Sequence, residues 1–342
     1  NEFVKKSENI YKDFKTLYTE KKLFNEVIYP DKSFKIKLNP LKKNLLWVDE
    51  FYQNSNNLNN FSYKNQNNLL FKSRKLIKNK IKDQILFDGD NIIFANKKGF
   101  LKVFSVEDQQ IIFEYNFYNK NFKKIKKNLN FIINESTIYI SDNLGYLYAI
   151  NYKSKKLLWA KNFKIPFRSN IKILKEKIII SDTNNTLYFI NKLNGDNLKI
   201  IPTEETTIKN NFINSIAVNE NSIFYLNTYG SLYSINYNGK INWFINLNQS
   251  LDLNPSNLFN SNPIVLHNDK IAIATQDKLY FLNTNNGATI FQFDISSLMS
   301  PIVTNDNILL ITANSLLVCI NTNNGKINYS IDINFEIAKF LD

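Results

Sequence analysis

The chain has 342 residues, 44% of them hydrophobic and 14% aromatic, which is enough to build a large buried core. Its formal charge is +13, but only two of its 43 basic residues are arginine, the usual reader of phosphates and base edges. Lys, Asn, Ile, Phe and Tyr have A/T-rich codons and are abundant here, so codon usage accounts for the charge and we expect no nucleic-acid partner. One cysteine excludes an internal disulfide, and no apolar run is long enough for a membrane-spanning helix.

Residues 1–33 differ in composition from the rest of the chain. Ile10, Phe14 and Leu17 are spaced as on one face of a helix, among many Lys and Glu, and Pro30 ends this pattern. We therefore predict a loosely attached leader or tether over residues 1–33 that is partly helical. Because the chain does not begin with Met and shows no signal peptide, we expect it to be part of a longer protein.

Two short stretches before the repeats are candidates for strands. Residues 34–38 (FKIKL) alternate between apolar and polar side chains, and we predict them as the first strand of a domain over residues 34–342. An Asn-rich loop follows around residues 54–68. Residues 69–76 are predicted either as a strand that closes a ring or as the outer strand of a poorly matching repeat.

A short apolar block that closes on Ser or Asn occurs six times, with its last residues 38 to 47 positions apart. A period of about 40–50 residues made only of short strands is typical of a propeller blade with four antiparallel strands. We therefore predict an all-β propeller, incomplete at its C-terminus, in which the eight glycines lie in turns. The blocks are residues 101–105, 147–151, 187–191, 232–236, 279–283 and 317–321, and the repeats run over 79–118, 119–163, 164–204, 205–250, 251–295 and 296–334.

The sequence offers no set of residues for catalysis or metal binding. His267 is the only histidine and lies in a turn, and Cys319 alternates with apolar residues in a strand, as a buried structural thiol does. Asp142, Asp182 and Asp277 recur in turns but stand singly, so we expect turn-forming side chains and no calcium site. We predict no catalytic, cofactor-binding or metal-binding residue and no enzyme.

Two tryptophans occupy equivalent positions in their repeats. Trp159 and Trp243 each follow a polar turn and a short apolar run, and other repeats place Phe113, Phe291 or Tyr329 there. We predict that these rings pack between neighbouring blades.

These turns and aromatic positions carry a family resemblance. Residues 236–243 (NYNGKINW) and 321–329 (NTNNGKINY) resemble the D-x-x-x-G-x-x-x-W signature that docks each blade on the next in PQQ-like (quinoprotein-type) propellers. The size, the leader and the absence of catalytic residues are similar to the BamB family within that superfamily. The resemblance implies eight blades in the full protein, no cofactor, and a lipoprotein scaffold of the outer-membrane β-barrel assembly machinery at the periplasmic face of that membrane. The lipid anchor would lie outside this span.

The same resemblance implies a partner and a site. The partner is the periplasmic part of a BamA-like subunit, and two loops would bind it. The first loop contains Phe167, Arg168 and Asn170, and the second contains Asn210, Asn211 and Phe212. Arg168 would supply a planar fork for a carboxylate or carbonyl, and Phe167 an apolar anchor.

Alternatives remain open at this point. Phe167 could instead pack under its blade while Arg168 caps a loop carbonyl. The protein could be a generic propeller adaptor with another partner. A PQQ-dependent dehydrogenase is the third alternative, although that branch carries adjacent cysteines and this chain has one cysteine.

Overall fold

The computed structural model describes residues 22–43, 46–62, 69, 71–73, 76, 81–118, 122, 124–205, 211–248 and 258–335. This part of the chain forms six antiparallel sheets of four strands each. The all-β propeller prediction is confirmed. No helix in these ranges is long and apolar enough to span a membrane.

Each sheet is one blade, and its strands follow one another as an up-and-down meander. The strands of the first three blades are β1 (Ile81–Phe87), β2 (Asn91–Asn96), β3 (Phe100–Ser105), β4 (Gln110–Asn116), β5 (Leu129–Asn134), β6 (Thr137–Asp142), β7 (Tyr146–Asn151), β8 (Lys156–Asn162), β9 (Lys172–Leu174), β10 (Lys177–Ser181), β11 (Leu187–Asn191) and β12 (Asn197–Ile201). Those of the last three are β13 (Ser215–Val218), β14 (Ser222–Leu226), β15 (Ser231–Asn236), β16 (Ile241–Asn246), β17 (Val265–His267), β18 (Lys270–Ala274), β19 (Leu279–Asn283), β20 (Thr289–Phe293), β21 (Ile302–Val303), β22 (Asn307–Ile311), β23 (Leu316–Asn321) and β24 (Ile327–Asp332).

The middle strands of each blade are buried on both faces because blades stack on both sides of them. In β7, Leu147 and Tyr148 point to opposite faces and both are buried. Leu147 belongs to the core between blades 2 and 3, and Tyr148 to the core between blades 1 and 2. The outer strand β8 is mostly exposed except for Trp159. Continuous apolar blocks therefore mark the middle strands.

Aromatic side chains of the outer strands dock on the glycine turn of the next blade. Trp159 donates its Nε1–H to the carbonyl of Lys192 at 3.0 Å, and Trp243 donates to that of Thr284 at 2.9 Å. Each ring lies over a turn glycine with positive φ, and a Cβ at Gly195 or Gly287 would stand 2.6 or 2.8 Å from the ring. The prediction that these tryptophans pack between blades is confirmed.

The central channel of the propeller is occupied by the chain's own residues 47–57, which we call the plug. The plug bonds to the first strand of all six blades, or to the residue that precedes it. The pairs are Trp47 with Phe87, Val48 with Ile133, Asp49 with Lys172, Asn54 with Ile173 and Val218, Ser55 with Leu266, Asn56 with Ile216 and Ile264, and Asn57 with Val303. The Asn-rich loop predicted around residues 54–68 thus begins inside the ring.

A buried ion pair fixes the plug to blade 3. The Lys172 Nζ lies 2.7 Å from Asp49 Oδ2, with the two side chains 0% and 2% exposed. Lys172 also donates to the carbonyl of Gln53 at 2.9 Å. Burial lowers the pKa of the Lys172 ammonium, and the Asp49 carboxylate opposes that shift.

The regions before the first repeat differ from the predictions. Residues 34–38 form no strand, so that prediction is wrong, and the described residues of 69–76 form none either. Of the latter, Phe71 packs against Phe104 of blade 1, with ring centroids 5.7 Å apart. Most of the 1–33 leader lies outside the described residues, and its described part contains no helix. Ile28 pairs with Ser330 of β24 through two hydrogen bonds of 2.8 Å. Eight blades in the full protein remains a prediction.

Two predictions about single residues are confirmed. Cys319 is a free, fully buried thiol, and burial raises its pKa. Asp142 and Asp182 each accept two backbone N–H groups of their own turn at 2.8–3.0 Å. Asp142 and Asp182 therefore build turns, as Asx residues do. The third predicted residue differs, because Thr275 Oγ1 accepts the N–H groups of its turn at 2.8 and 3.2 Å and donates to Asp277 Oδ1 at 2.8 Å.

Candidate functional site

Both loops predicted to bind a partner lie where one blade passes into the next. We call this end of the ring the connection face, because it holds every link between blades and the second turn of each blade. The first loop joins β8 to β9, and the second joins β12 to β13. The meander of each blade therefore brings loops far apart in sequence to the same end of the molecule.

Both loops line one cavity of about 410 Å³ on the connection face. Four of the six predicted site residues line it. The other lining residues come from the plug, from blades 2 and 3 and from the two loops. The lining consists of Glu50, Asn128, Asn130, Asn143, Pro166, Phe167, Arg168, Thr183, Asn211, Phe212 and Ile213. Of the other two predicted residues, Asn170 is not in this lining and Asn210 lies outside the described residues.

Phe167 is a core residue and not a protruding anchor. Its side chain is 5% exposed and belongs to the core between blades 2 and 3. Its ring packs edge-to-face against the rings of Phe163 and Tyr188, with centroids 5.2 and 6.1 Å away. The prediction of an apolar anchor at this position is therefore wrong, and the packing alternative describes it correctly.

Asn170 is likewise turned into the molecule, where it joins two blades. It is 1% exposed, its Nδ2 donates to the Ile216 carbonyl at 2.8 Å, and its Oδ1 accepts the Ile216 N–H at 2.9 Å. This side chain replaces backbone pairing between β9 and β13. A partner cannot reach it without opening the ring.

Arg168 is half-buried and is bonded to side-chain oxygens of the neighbouring blades. Its Nη2 donates to Asn185 Oδ1 and to Thr228 Oγ1, both at 2.8 Å. Burial lowers the pKa of the guanidinium, and the nearby Tyr225 and Asp182 oppose that shift. Arg168 therefore links blades 3 and 4 and forms part of the cavity wall.

A network of buried polar groups holds the two loops in register. Asn214 N donates to the Arg168 carbonyl at 3.1 Å, and Asn214 Nδ2 donates to Ser181 Oγ at 2.8 Å and to the Asp182 carbonyl at 3.1 Å. Thr228 N donates to Asn214 Oδ1 at 3.2 Å. Because these groups are satisfied internally, the cavity is built before a partner arrives.

The accessible part of the site comes from the second loop. Ile213 is 60% exposed, Asn211 is exposed and Phe212 is half-buried. Ile213 was not predicted, although it directly follows Phe212 in the sequence. Glu50 was not predicted either, because only the path of the plug brings it to this cavity. The site therefore offers an apolar tip beside several amide side chains and one carboxylate.

The side chains at this site are not those of an ordinary metal centre. Among the described residues, no group of three or more His, Cys, Asp or Glu side chains could hold a metal ion. His267, at the end of β17, contacts Asn57 and Asn305 on the opposite side of the ring. Amides and apolar side chains are suited to binding an extended peptide segment or a protein loop, through backbone hydrogen bonds and one anchor.

Comparison with known proteins agrees with this architecture. A family model described as outer membrane protein assembly factor BamB matches residues 123–330, which is more than half of the chain. The chain belongs to the BamB family. The crystal structure of BamB from Moraxella catarrhalis superposes with a TM-score of 0.59 at 14% identity, covering 72% of this chain and 75% of that chain.

A second propeller superposes slightly less well. The C-terminal WD40 domain of Sif2 gives a TM-score of 0.52 at 15% identity, covering 70% of this chain and 68% of that domain. No curated protein sequence matches this chain. At such identities the structural likeness establishes the fold, and the family match establishes the BamB relationship predicted from the blade signatures.

Proposed function

We propose that this protein is a non-catalytic scaffold of outer-membrane β-barrel assembly that acts at the periplasmic face of that membrane. Its partner would be the periplasmic part of a BamA-like subunit, and membership of the BamB family supports this role. The observation that carries the site assignment is the 410 Å³ cavity, because it joins the two loops that the family resemblance singled out.

The plug supports a scaffold in preference to an enzyme. Residues 47–57 run along the first strands and bond to every blade, so this segment helps to hold the blades together. The cavity is lined by amide and apolar side chains with one carboxylate and one guanidinium, a composition that suits recognition of another chain. A rigid, internally bonded cavity lowers the entropic cost of binding.

Ile213 is the most informative residue to substitute in a test of this site. Arg168, in contrast, is bonded to Asn185 and Thr228, so its reversal to Glu would disturb the fold as well as the surface. Ile213→Glu places a charge on a 60% exposed tip and should leave the melting temperature nearly unchanged. If Ile213 anchors the partner, the loss of affinity should be roughly 30-fold, equivalent to about 2 kcal/mol.

The measurement is the Kd for the purified periplasmic domains of a BamA-like subunit, by isothermal titration calorimetry. Leu193→Glu is the matched control, because Leu193 is 71% exposed in a turn at the opposite end of blade 3. Equal affinity of both variants and wild type would refute the site. Failure of wild type to bind these domains would refute the proposed partner and favour an adaptor with another one.

A further inference from the structure

The connection face carries a second feature, a concentration of exposed lysines at blades 1 and 2. Lys97 and Lys98 lie in the turn between β2 and β3, and Lys124 and Lys126 lie in the link from β4 to β5. All four side chains are exposed. We call these four residues the lysine surface.

Hydrogen bonds between the loops make the lysine surface continuous. The N–H of Lys127 donates to the Lys97 carbonyl at 3.2 Å, which joins the turn of blade 1 to the link. Asn143 Nδ2 donates to the Lys126 carbonyl at 3.0 Å, which joins the link to the turn of blade 2. The described backbone that carries the four lysines is therefore joined from the turn of blade 1, through the link, to the turn of blade 2.

Acidic side chains do not neutralise the lysine surface within the described part of the chain. The two loops contain no Asp or Glu, Asp142 in the adjoining turn of blade 2 is 1% exposed, and Glu50 lies in the neighbouring cavity. None of the four lysines takes part in an ion pair with a described residue. No ion pair with a described residue offsets the repulsion among the four positive charges, so an external anion would reduce that repulsion.

The rest of the connection face shows that codon usage alone does not explain this arrangement. In blades 4, 5 and 6, the second turns and the described links contain a single lysine, Lys278, directly after Asp277. Codon usage raises the number of lysines everywhere but does not collect them on one side of a ring. The charge of this face is therefore asymmetric.

We propose that the lysine surface binds the headgroups of a bilayer rich in anionic lipids. One feature favours a bilayer over an acidic protein. Ile125, between Lys124 and Lys126, is 44% exposed, so the loop presents an apolar side chain that can enter the headgroup region. This proposal does not depend on the binding of a BamA-like subunit.

Co-sedimentation with vesicles tests the proposal. The full chain should bind vesicles of equal parts phosphatidylglycerol and phosphatidylcholine, bind phosphatidylcholine alone weakly, and dissociate at high salt. Changing Lys97, Lys98, Lys124 and Lys126 to Gln should lower the partition coefficient roughly 1,000-fold, since each of the four lysines near an anionic surface contributes about 1 kcal/mol and about 1.4 kcal/mol is tenfold. Ile125→Ser should lower it as well, with no change in salt dependence.

The matched control changes four lysines at the opposite end of the ring to Gln. Lys153, Lys156, Lys240 and Lys326 are exposed at the last turns of blades 2, 4 and 6, and the variant has the same net charge as the test variant. Retained binding by this control supports the proposal. Equal loss in both variants would show that net charge alone acts. No vesicle binding, or binding of an acidic peptide in its place, would overturn the proposal.

Discussion

At the scale of single residues, the same turn acceptor is built from Asp in some blades and from Asn in others. Asp142 Oδ1 accepts the N–H groups of Leu144 and Tyr146, and Asn227 Oδ1 accepts the equivalent pair in blade 4 at 3.0 Å. The turn therefore needs the oxygen and not the charge. The sequence predicts this role, because Asx residues recur at one position of the repeat.

Burial destabilises the charged form of the Asp142 side chain, whereas the Asn227 side chain has no charge to bury. Burial raises the pKa of the Asp142 carboxyl above 3.8, although hydrogen bonds from Tyr118 and from the turn oppose the shift. The folded protein then binds this proton more tightly than the unfolded chain does. The stabilising contribution is complete below pH 3.8 and is lost as the pH rises through the folded pKa.

Asp142→Asn should remove this pH dependence, because it keeps the acceptor oxygen and the contact with Tyr118. We expect the free energy of unfolding of the variant to exceed that of wild type increasingly as the pH rises above 4, in urea titrations at several pH values. Asp90→Asn, at an exposed carboxyl, is the control and should run parallel to wild type. Parallel curves for Asp142→Asn as well would contradict the argument.

At the scale of elements, a strand was predictable where blades bury it on both faces. The blocks around Leu147 and Leu187 read as continuous apolar runs because stacking on both sides requires them. Residues 34–38 alternate between apolar and polar side chains, yet they form no strand. Alternation indicates that one face of a strand could be buried, but it does not show that a strand is available to pair with it. The prediction that Phe167 is an exposed anchor was wrong for a similar reason. Its place in a loop does not show what it packs against, and its side chain lies in the core between blades 2 and 3.

The docking of an outer strand on the next blade leads to a prediction with an internal control. Gly195 and Gly239 have nearly the same backbone, with φ of +76° and +77°. A Cβ at Gly195 would stand 2.6 Å from the ring of Trp159, whereas one at Gly239 would meet the flexible side chain of Lys199 at 2.9 Å. Both alanine variants incur the same backbone strain, and only one must displace a packed ring.

Gly195→Ala should therefore lower the free energy of unfolding more than Gly239→Ala does, by about 1–3 kcal/mol, the usual cost of overpacking. Chemical denaturation followed by circular dichroism measures both variants, and tryptophan fluorescence reports whether Trp159 has moved. Equal destabilisation would mean that positive φ alone sets the cost and that the Trp159 docking contact is dispensable.

At the scale of the whole molecule, the ring is organised around a segment that carries no recognisable signal in the sequence. The second half of the plug, residues 53–57 (QNSNN), is polar and rich in asparagine, and such a composition is typical of an exposed loop. Asn56 and Asn57 are buried there because their amides bond to the edges of the first strands; Asn56 Nδ2, for example, donates to the Ile216 and Ile264 carbonyls. Pairings across hundreds of residues leave no local pattern, so neither the plug nor Glu50 at the candidate site could be predicted.

The ion pair between the plug and blade 3 makes this organisation testable. Lys172→Met would remove the cation and leave the Asp49 carboxylate buried without it, at a cost of about 3–5 kcal/mol in the free energy of unfolding. Asp49→Asn keeps the acceptor for the Phe51 N–H. In the double variant neither charge is buried, so most of the loss should be recovered.

A double-mutant cycle measured by urea denaturation should therefore show strong coupling between the two sites, with the double variant more stable than Lys172→Met alone. Lys270→Met and Asp269→Asn form the control cycle, because that pair has a similar 2.8 Å contact but is exposed, and its coupling should stay below about 1 kcal/mol. Additive effects at Lys172 and Asp49 would show that the plug does not depend on the pair. Strong coupling there, with a single unfolding transition, would show that the plug and the six blades stabilise one another.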